Sequence, residues 1–453
     1  MSEPRTLFDQ MVASGRGRRR RIATRDFILE LDRFAVAGSL GDGLTRLEGR
    51  SVLLAVGDMA KAAAALIDLD GVARRIVLCP PGASADALVA LARASAADAL
   101  VYDGDAPAPQ IDVAPRVGCR LPLAPLAAPR VARFVSDWAM PTSGTSGPPK
   151  LVAHTLATLT AAFRPAAGQR WATFYDIRRY GGLQILLRAL TGAESLTLSD
   201  PREGVDAFLV RLGEAGATHI SGTPSHWRKV LMSGEARRIA PLRVRLSGEI
   251  ADDGVIAGLR ALYPNAHVEH AYASTEAGVA FVVSDGRAGF PASLVAEDGE
   301  VALRVVDGVL RVRSNRAALR YLGADAPALK DADGFVDTGD VVALNGDRYL
   351  FVGRRGGIIN VGGAKVHPEE VEAALNAHAA VRASRVFARK SPITGALVAA
   401  EIVLRDGAAA DETTKRDILA ACRAALPAYK APSFLSFVAE LPMTDGGKVA
   451  RHG

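Results

Sequence analysis

The sequence predicts an α/β protein. It has a large N-terminal domain of βαβ layers with a small β subdomain, followed by a small α+β C-terminal domain. Three observations predict this. Through roughly the first half, short apolar runs alternate with Ala/Leu-rich helical stretches, the texture of βαβ units and a mostly parallel sheet. After about residue 295, short alternating runs are parted by Gly/Asp turns. A Gly-rich stretch, Gly353-Arg354-Arg355-Gly356-Gly357, then leads into about 100 residues with their own helices and strands.

In chain order, residues 51–56 form an apolar run of strand character, and Met59–Leu69 is Ala/Leu-rich and predicts a helix. Next come a strand over 75–79, a helix over 84–97 with Ser84 as N-cap, and a strand over 99–102. A second unit runs through a helix (206–215), a strand (218–221) and a helix (225–232). The β subdomain has strands at 300–305, 309–312, 341–344 and 349–352, with Asn345-Gly346-Asp347 as a tight turn. The last segment has a helix at 368–378, strands at 384–388 and 397–404, and a helix at 412–426. The expected division is 1–352 and 353–453.

Of the 453 residues, 49% are hydrophobic and 23% charged, ample material for a core. The formal charge is +6, but Arg16, Arg18, Arg19, Arg20 and Arg21 supply five of the six. A nucleic-acid-binding surface would spread its basic charge over a face, so no nucleic-acid partner is expected. Arg25, Asp26, Glu30, Asp32 and Arg33 break up the segment after the cluster, so no signal peptide is expected there, and no apolar run is long enough for a membrane span. Three distant cysteines, Cys79, Cys119 and Cys422, give no disulfide framework and suit a reducing cytoplasm. His267 and His270 lack the companions of a structural metal site. Only nine residues are Lys against 46 Arg, so each Lys is worth locating.

The sharpest motif is Thr142-Ser143-Gly144-Thr145-Ser146-Gly147-Pro148-Pro149-Lys150. Gly allows close backbone approach and hydroxyls donate, which suits phosphate oxygens. The order is not that of a Walker A loop. The stretch resembles the phosphate loop of the adenylate-forming superfamily, which includes acyl-CoA synthetases. Further pieces match in that family's order. They are Ala271-Tyr272-Ala273-Ser274-Thr275-Glu276, Asp337-Thr338-Gly339-Asp340, Gly353-Arg354 through Gly362-Gly363, Lys365 through Glu372, Leu426 through Pro432, and Leu441 through Lys448. Together they span 142–448, whereas the first 140 residues match only in βα texture.

The resemblance implies ATP-dependent activation of a carboxylic acid as acyl-adenylate, then transfer to the thiol of coenzyme A. Loop 142–150 would hold the β- and γ-phosphates, with Lys150 in its last position. Thr275 would bond the α-phosphate and Glu276 would ligate Mg²⁺, a hard cation suited to carboxylate oxygen. Tyr272 would stack on adenine beside Ala271, and Ser247-Gly248-Glu249 would flank the base. Asp340 would accept the ribose hydroxyls with help from Arg354. Lys448 would bridge the acyl carboxylate and the α-phosphate as charge moves onto pyrophosphate. The C-terminal domain would be mobile about a hinge, commonly Asp or Lys in the family but Gly356 here. Gly362 and Gly363 would line the coenzyme A thiol tunnel.

For the acyl pocket, Arg179 stands where the family often has His or an aromatic, followed by Tyr180 and Gly182; Thr223-Pro224-Ser225-His226-Trp227 is expected to form the second wall, and Ala273 is also expected at the pocket. Asp176 is the single candidate for holding an α-amino group and sits out of register, so amino-acid activation is not expected. Arg178 or Arg179 could pair the substrate carboxylate or a second acidic group. Aryl, short acyl and dicarboxylic acids all remain open. A carrier-protein phosphopantetheine is the alternative acceptor, and a non-catalytic nucleotide-binding protein the alternative class.

Overall fold

The computed structural model describes residues 6–15, 20–126, 130–142, 150–164, 166, 168–192, 195–361, 364–391, 395–443 and 449. Two large sheets face one another. One has seven strands in the order Arg320–Leu322, Leu151–His154, Asp137–Pro141, Arg75–Leu78, Ser51–Ala55, Ala99–Asp103 and Arg116–Cys119. The other has eight, in the order Gly278–Val283, His267–Ser274, Arg243–Ser247, His219–Gly222, Arg170–Thr173, Ser195–Leu198, Arg21–Ala23 and Ile28–Glu30. Most inner strands pair parallel, as the βα alternation predicts, while antiparallel strands close three of the four edges and Arg116–Cys119 closes the fourth in parallel.

The parallel strands read as continuous apolar runs because both of their faces are covered. Val52 and Leu54 join the central core, while Leu53 turns to an outer cluster under the helix Ala85–Ser95. The central core is shared by the helices Met59–Leu69 and Tyr180–Gly192, which lie between the sheets. Outside the eight-stranded sheet, the helices Val205–Glu214, Pro224–Met232 and Asp253–Leu262 bury a third cluster. Ser84 caps its helix as expected, accepting from the Ala87 amide at 3.2 Å.

The β subdomain is a five-stranded antiparallel sheet. Its strand Val336–Asn345 begins well before the expected residue 341, so the Asp337–Asp340 motif lies within a strand. Ladder bonds to Val309–Ser314 extend it, and Gly339 at φ 69° accommodates the local kink. The last sheet joins Ala364–Val366, Ile359–Val361, Gly395–Leu404, Val381–Ser391 and Phe434–Phe437 around its own core. The strand Arg348–Arg354 runs two residues past the division expected at 352.

Candidate active site

The ends of the phosphate-loop motif are fixed by a hairpin. Pro141 and Leu151 are partners on antiparallel strands, and the Thr142 amide donates to the Lys150 carbonyl at 2.8 Å. Ser143, Gly144, Thr145, Ser146 and Gly147 lie outside the described residues, as do Gly362, Gly363 and Lys448. Lys150 stands at the mouth of the hairpin with its ammonium 5.1 Å from the Tyr321 ring centroid. Burial first, then the nearby carboxylates of Glu276 and Asp337, push the Tyr321 phenol up to about 12. Lys150, Glu276 and Asp337 therefore share one neighbourhood, drawn from three separate stretches of chain.

Thr275 and Glu276 occupy the turn between the strands His267–Ser274 and Gly278–Val283. The turn is clamped by His154, a residue that motif reading missed. Its Nε2 lies 2.7 Å from the Thr275 carbonyl and its Nδ1 3.0 Å from Thr158 Oγ1. A carbonyl only accepts, so Nε2 carries the proton. Burial brings His154 down to about 4, so the ring is neutral at neutral pH. The only signal in the sequence was a His placed just after the loop. The Glu276 carboxylate makes no hydrogen bond or ion pair with the described residues, so both oxygens are available to a hard cation.

Asp340 and Arg354 are direct cross-strand partners, with Arg354 Nε 2.7 Å from Asp340 Oδ1. Tyr272 Oη donates to Asp340 Oδ2 at 2.5 Å. Burial first, then the Asp340 charge, push the Tyr272 phenol well above its ordinary value, so it remains the donor. The rings of Phe281 and Phe351 pack near-parallel to Tyr272 at 5.3 and 5.0 Å. Ser247 and Ala271 are register partners, and Ser247 Oγ donates to the Ala271 carbonyl at 2.8 Å. Glu249 accepts from the Ser225 amide at 2.9 Å, and Gly248 between them takes φ 86°. Gly356 is exposed in the 3-10 turn Arg355–Gly357, directly after Arg354.

In the pocket segment the two arginines divide. Arg178 is buried; it pairs with Asp176 at 2.5 Å and donates to the Val56 and Gly57 carbonyls at 2.7 Å each. Both Arg178 and Asp176 are thereby used in tying this loop to the seven-stranded sheet. Nε of Arg179 is buried with no hydrogen-bond partner among the described residues. Tyr180 is buried beside the His154 ring at 5.6 Å. Gly182 packs its Cα against the backbone: a Cβ there would lie 2.1 Å from the Asp176 carbonyl oxygen. His226 completes a capping box with the N-cap Thr223, its Nδ1 accepting from the Thr223 amide at 3.2 Å and its own amide donating to Thr223 Oγ1 at 3.1 Å, and its ring stacks on Phe174 at 5.2 Å. Burial brings His226 down to about 4. Ala273 follows Tyr272 on the strand, at a register shift against Val279.

The AMP-binding enzyme family matches residues 75–322, and the AMP-binding enzyme C-terminal domain matches residues 370–448. The chain is 29% identical over 336 residues to p-hydroxybenzoic acid–AMP ligase FadD22 of Mycobacterium tuberculosis, covering 68% of this chain and 47% of that protein. It is 26% identical over 341 residues to the mitochondrial acyl-coenzyme A synthetase ACSM5 of Homo sapiens, covering 68% and 59%. The chain thus spans about half the length of these curated relatives. Among solved structures, the anthranilate CoA ligase AuaEII in complex with anthranoyl-AMP superposes with a TM-score of 0.78 at 18% identity, covering 98% of this chain and 95% of that one.

Proposed function

Because the chain belongs to the AMP-binding enzyme family, within the adenylate-forming superfamily, we propose that it activates a carboxylic acid with ATP and passes the acyl group to the thiol of coenzyme A. The observation that carries the reading is the meeting of Tyr272, Asp340 and Arg354 beside the Thr275–Glu276 turn. Motifs far apart in sequence supply a base-side ring, a ribose-side carboxylate and a phosphate-side turn at one place.

In the first half-reaction a carboxylate oxygen attacks the α-phosphorus, and the bond to pyrophosphate breaks. The barrier is charge, since an anion must approach a polyanion, so cations and donors at the α-phosphate dominate. Lys150 and the 142–147 loop hold the β- and γ-phosphates, and the Thr275 hydroxyl bonds the α-phosphate. Glu276 holds Mg²⁺, which neutralises phosphate charge when bound. Lys448 bridges the two reacting anions. Asp340 and Arg354 fix the ribose, while Tyr272, Ala271 and the 247–249 segment flank the base. Arg179, Tyr180, Gly182, His226 and Ala273 surround the acyl group.

In the second half-reaction the thiol sulfur attacks the acyl carbonyl, AMP leaves, and the thiol proton is released. Residues 353–453 turn about Gly356 to present Gly362 and Gly363 to the pantetheine arm. A second reading is transfer to a carrier-protein phosphopantetheine; it is favoured by the relative named as an acid–AMP ligase rather than a CoA ligase. Supplying coenzyme A or a holo-carrier protein to preformed acyl-adenylate separates the two. Among the described residues no helix is long and apolar enough to cross a membrane. The three cysteines are free and buried, which supports placing the protein in a reducing cytoplasm.

Acid-dependent ATP–pyrophosphate exchange across a library of carboxylic acids tests the proposal. Exchange with at least one acid is expected. Nucleotide binding without exchange for any acid would instead favour a non-catalytic nucleotide-binding protein.

A further inference from the structure

The helix Tyr180–Gly192 lies between the two large sheets and is buried almost all round, yet one of its faces is polar. Tyr180, Gln184 and Arg188 stand at i, i+4 and i+8, so they share that face. Gln184 is accounted for in part, since its Nε2 donates to the Leu159 carbonyl at 2.9 Å. Arg188 is not. Its guanidinium lies 4.3 Å from the Phe163 ring centroid and 5.9 Å from that of Trp171. Its Nε is buried without a hydrogen-bond partner, and among the described residues no carboxylate pairs with it.

The sheet face it covers has the same imbalance. Strands alternate with period two, so Trp171 and Thr173 share a face, and the register carries that face to His219 and Ser221, Arg243 and Arg245, and His267 and Glu269. Ser221 is fully buried and its hydroxyl has no hydrogen-bond partner among the described residues. Glu269 is already saturated: Arg243 Nη1 at 2.9 Å, Arg245 Nη2 at 2.5 Å and His267 Nε2 at 3.4 Å. Among the described residues Arg188 is thus a cation without a paired carboxylate. Burial first, then repulsion by Arg245 against the pull of Glu269, holds it down to about 9, so it is still charged at neutral pH. A largely buried charge without a counterion is costly, and an arriving anion would remove that cost.

The helix also leads to the reacting centre. Tyr180, at its start, packs on His154, which holds the Thr275 carbonyl. Arg188 lies two turns further in, roughly 12 Å along the axis at 1.5 Å per residue. We propose that Arg188 is a specificity-determining residue that receives a second anionic group on the acid. The substrate class is an acid whose distal carboxylate, or comparably charged group, is separated from the reacting carboxyl by an aryl ring or a spacer of about four carbons. This inference rests on the adenylation reading and narrows it.

Pyrophosphate release measured with matched acid pairs, adipate against hexanoate and terephthalate against 4-methylbenzoate, tests it. The wild-type protein should show the higher kcat/KM for the diacid of at least one pair. R188M should lower that diacid-to-monoacid ratio by about 30-fold, and R188K should keep most of it, because charge rather than packing decides. Wild-type preference for the monoacid in both pairs would overturn the inference, as would an R188M variant that changes both members of a pair by the same factor. If R188M does not fold, the wild-type ratios and R188K decide. Release with monoacids alone, or with none of the four but with another library acid, removes this inference and leaves the adenylation reading standing, whereas no release with any acid removes both.

Discussion

Tyr272 Oη stands 2.5 Å from Asp340 Oδ2 across 68 residues of chain, and it is one of two donors on that carboxylate. Each carboxylate oxygen can accept more than one bond, so Asp340 retains capacity for ribose hydroxyls. Asp340→Ala should raise the KM for ATP by about 100-fold, because it removes the acceptor and strips Arg354 of its counter-charge. Tyr272→Phe, which keeps the ring, should stay within about 5-fold. Steady-state kinetics at varied ATP checks both; equal losses would transfer the ribose role away from Asp340.

Lys448→Ala should cut acyl-adenylate formation by about three orders of magnitude or more, since it removes the cation between two anions. Thioester formation from preformed acyl-adenylate should be spared. Separate assays of the two half-reactions provide the check, and equal loss in both would remove the assigned role.

Gly356→Pro fixes φ near −65° in the exposed turn after Arg354. Adenylation should persist while transfer to the thiol slows by about 10-fold or more. Single-turnover transfer rates measure this, and an unchanged rate would refute the hinge assignment.

The Asp176–Arg178 pair predicts a stability effect rather than a change of substrate. Both side chains are largely buried, and Asp176→Ala leaves the Arg178 guanidinium without its partner. Breaking such a pair costs about 3–5 kcal/mol. Chemical denaturation should show that loss; a shift of acid preference at unaltered stability would point to substrate recognition instead.

Stability should fall in mild acid. His154 sits at about 4 when folded against an ordinary 6.5. Below pH 6.5 the unfolded chain takes up a proton that the folded protein refuses, so stability is lost as the pH falls from 6.5 to about 4 and is level outside that window. The loss from His154 alone is about 3 kcal/mol. His219 and His226 are held down to about 4 in the same way and add to it. Urea midpoints at pH 7 and pH 5 should differ in this direction, and His154→Gln should reduce the difference.

The layered α/β class, most helices and strands, and the order of the chemical motifs are legible in the residue order alone. These are local matters. Continuous apolar runs such as Ser51–Ala55 specify strands buried on both faces, and Ser84 marks a helix start wherever the helix later docks. Asp340, Tyr272 and Arg354 were each legible as motif residues, because their neighbours in sequence identify them. Tertiary structure decided which of these side chains meet and which are already occupied. Arg178 and Arg179 are adjacent and alike in sequence, but one is spent on Asp176 and the Val56–Gly57 carbonyls while the other keeps an orphaned Nε. His154 carries no motif and acquires its role from a carbonyl 121 residues away. Arg188 looks like one arginine among 46 until packing buries its Nε and leaves it, among the described residues, without a paired carboxylate. Hydrogen bonding and desolvation act between atoms close in space, and residue order constrains that closeness only through the completed fold.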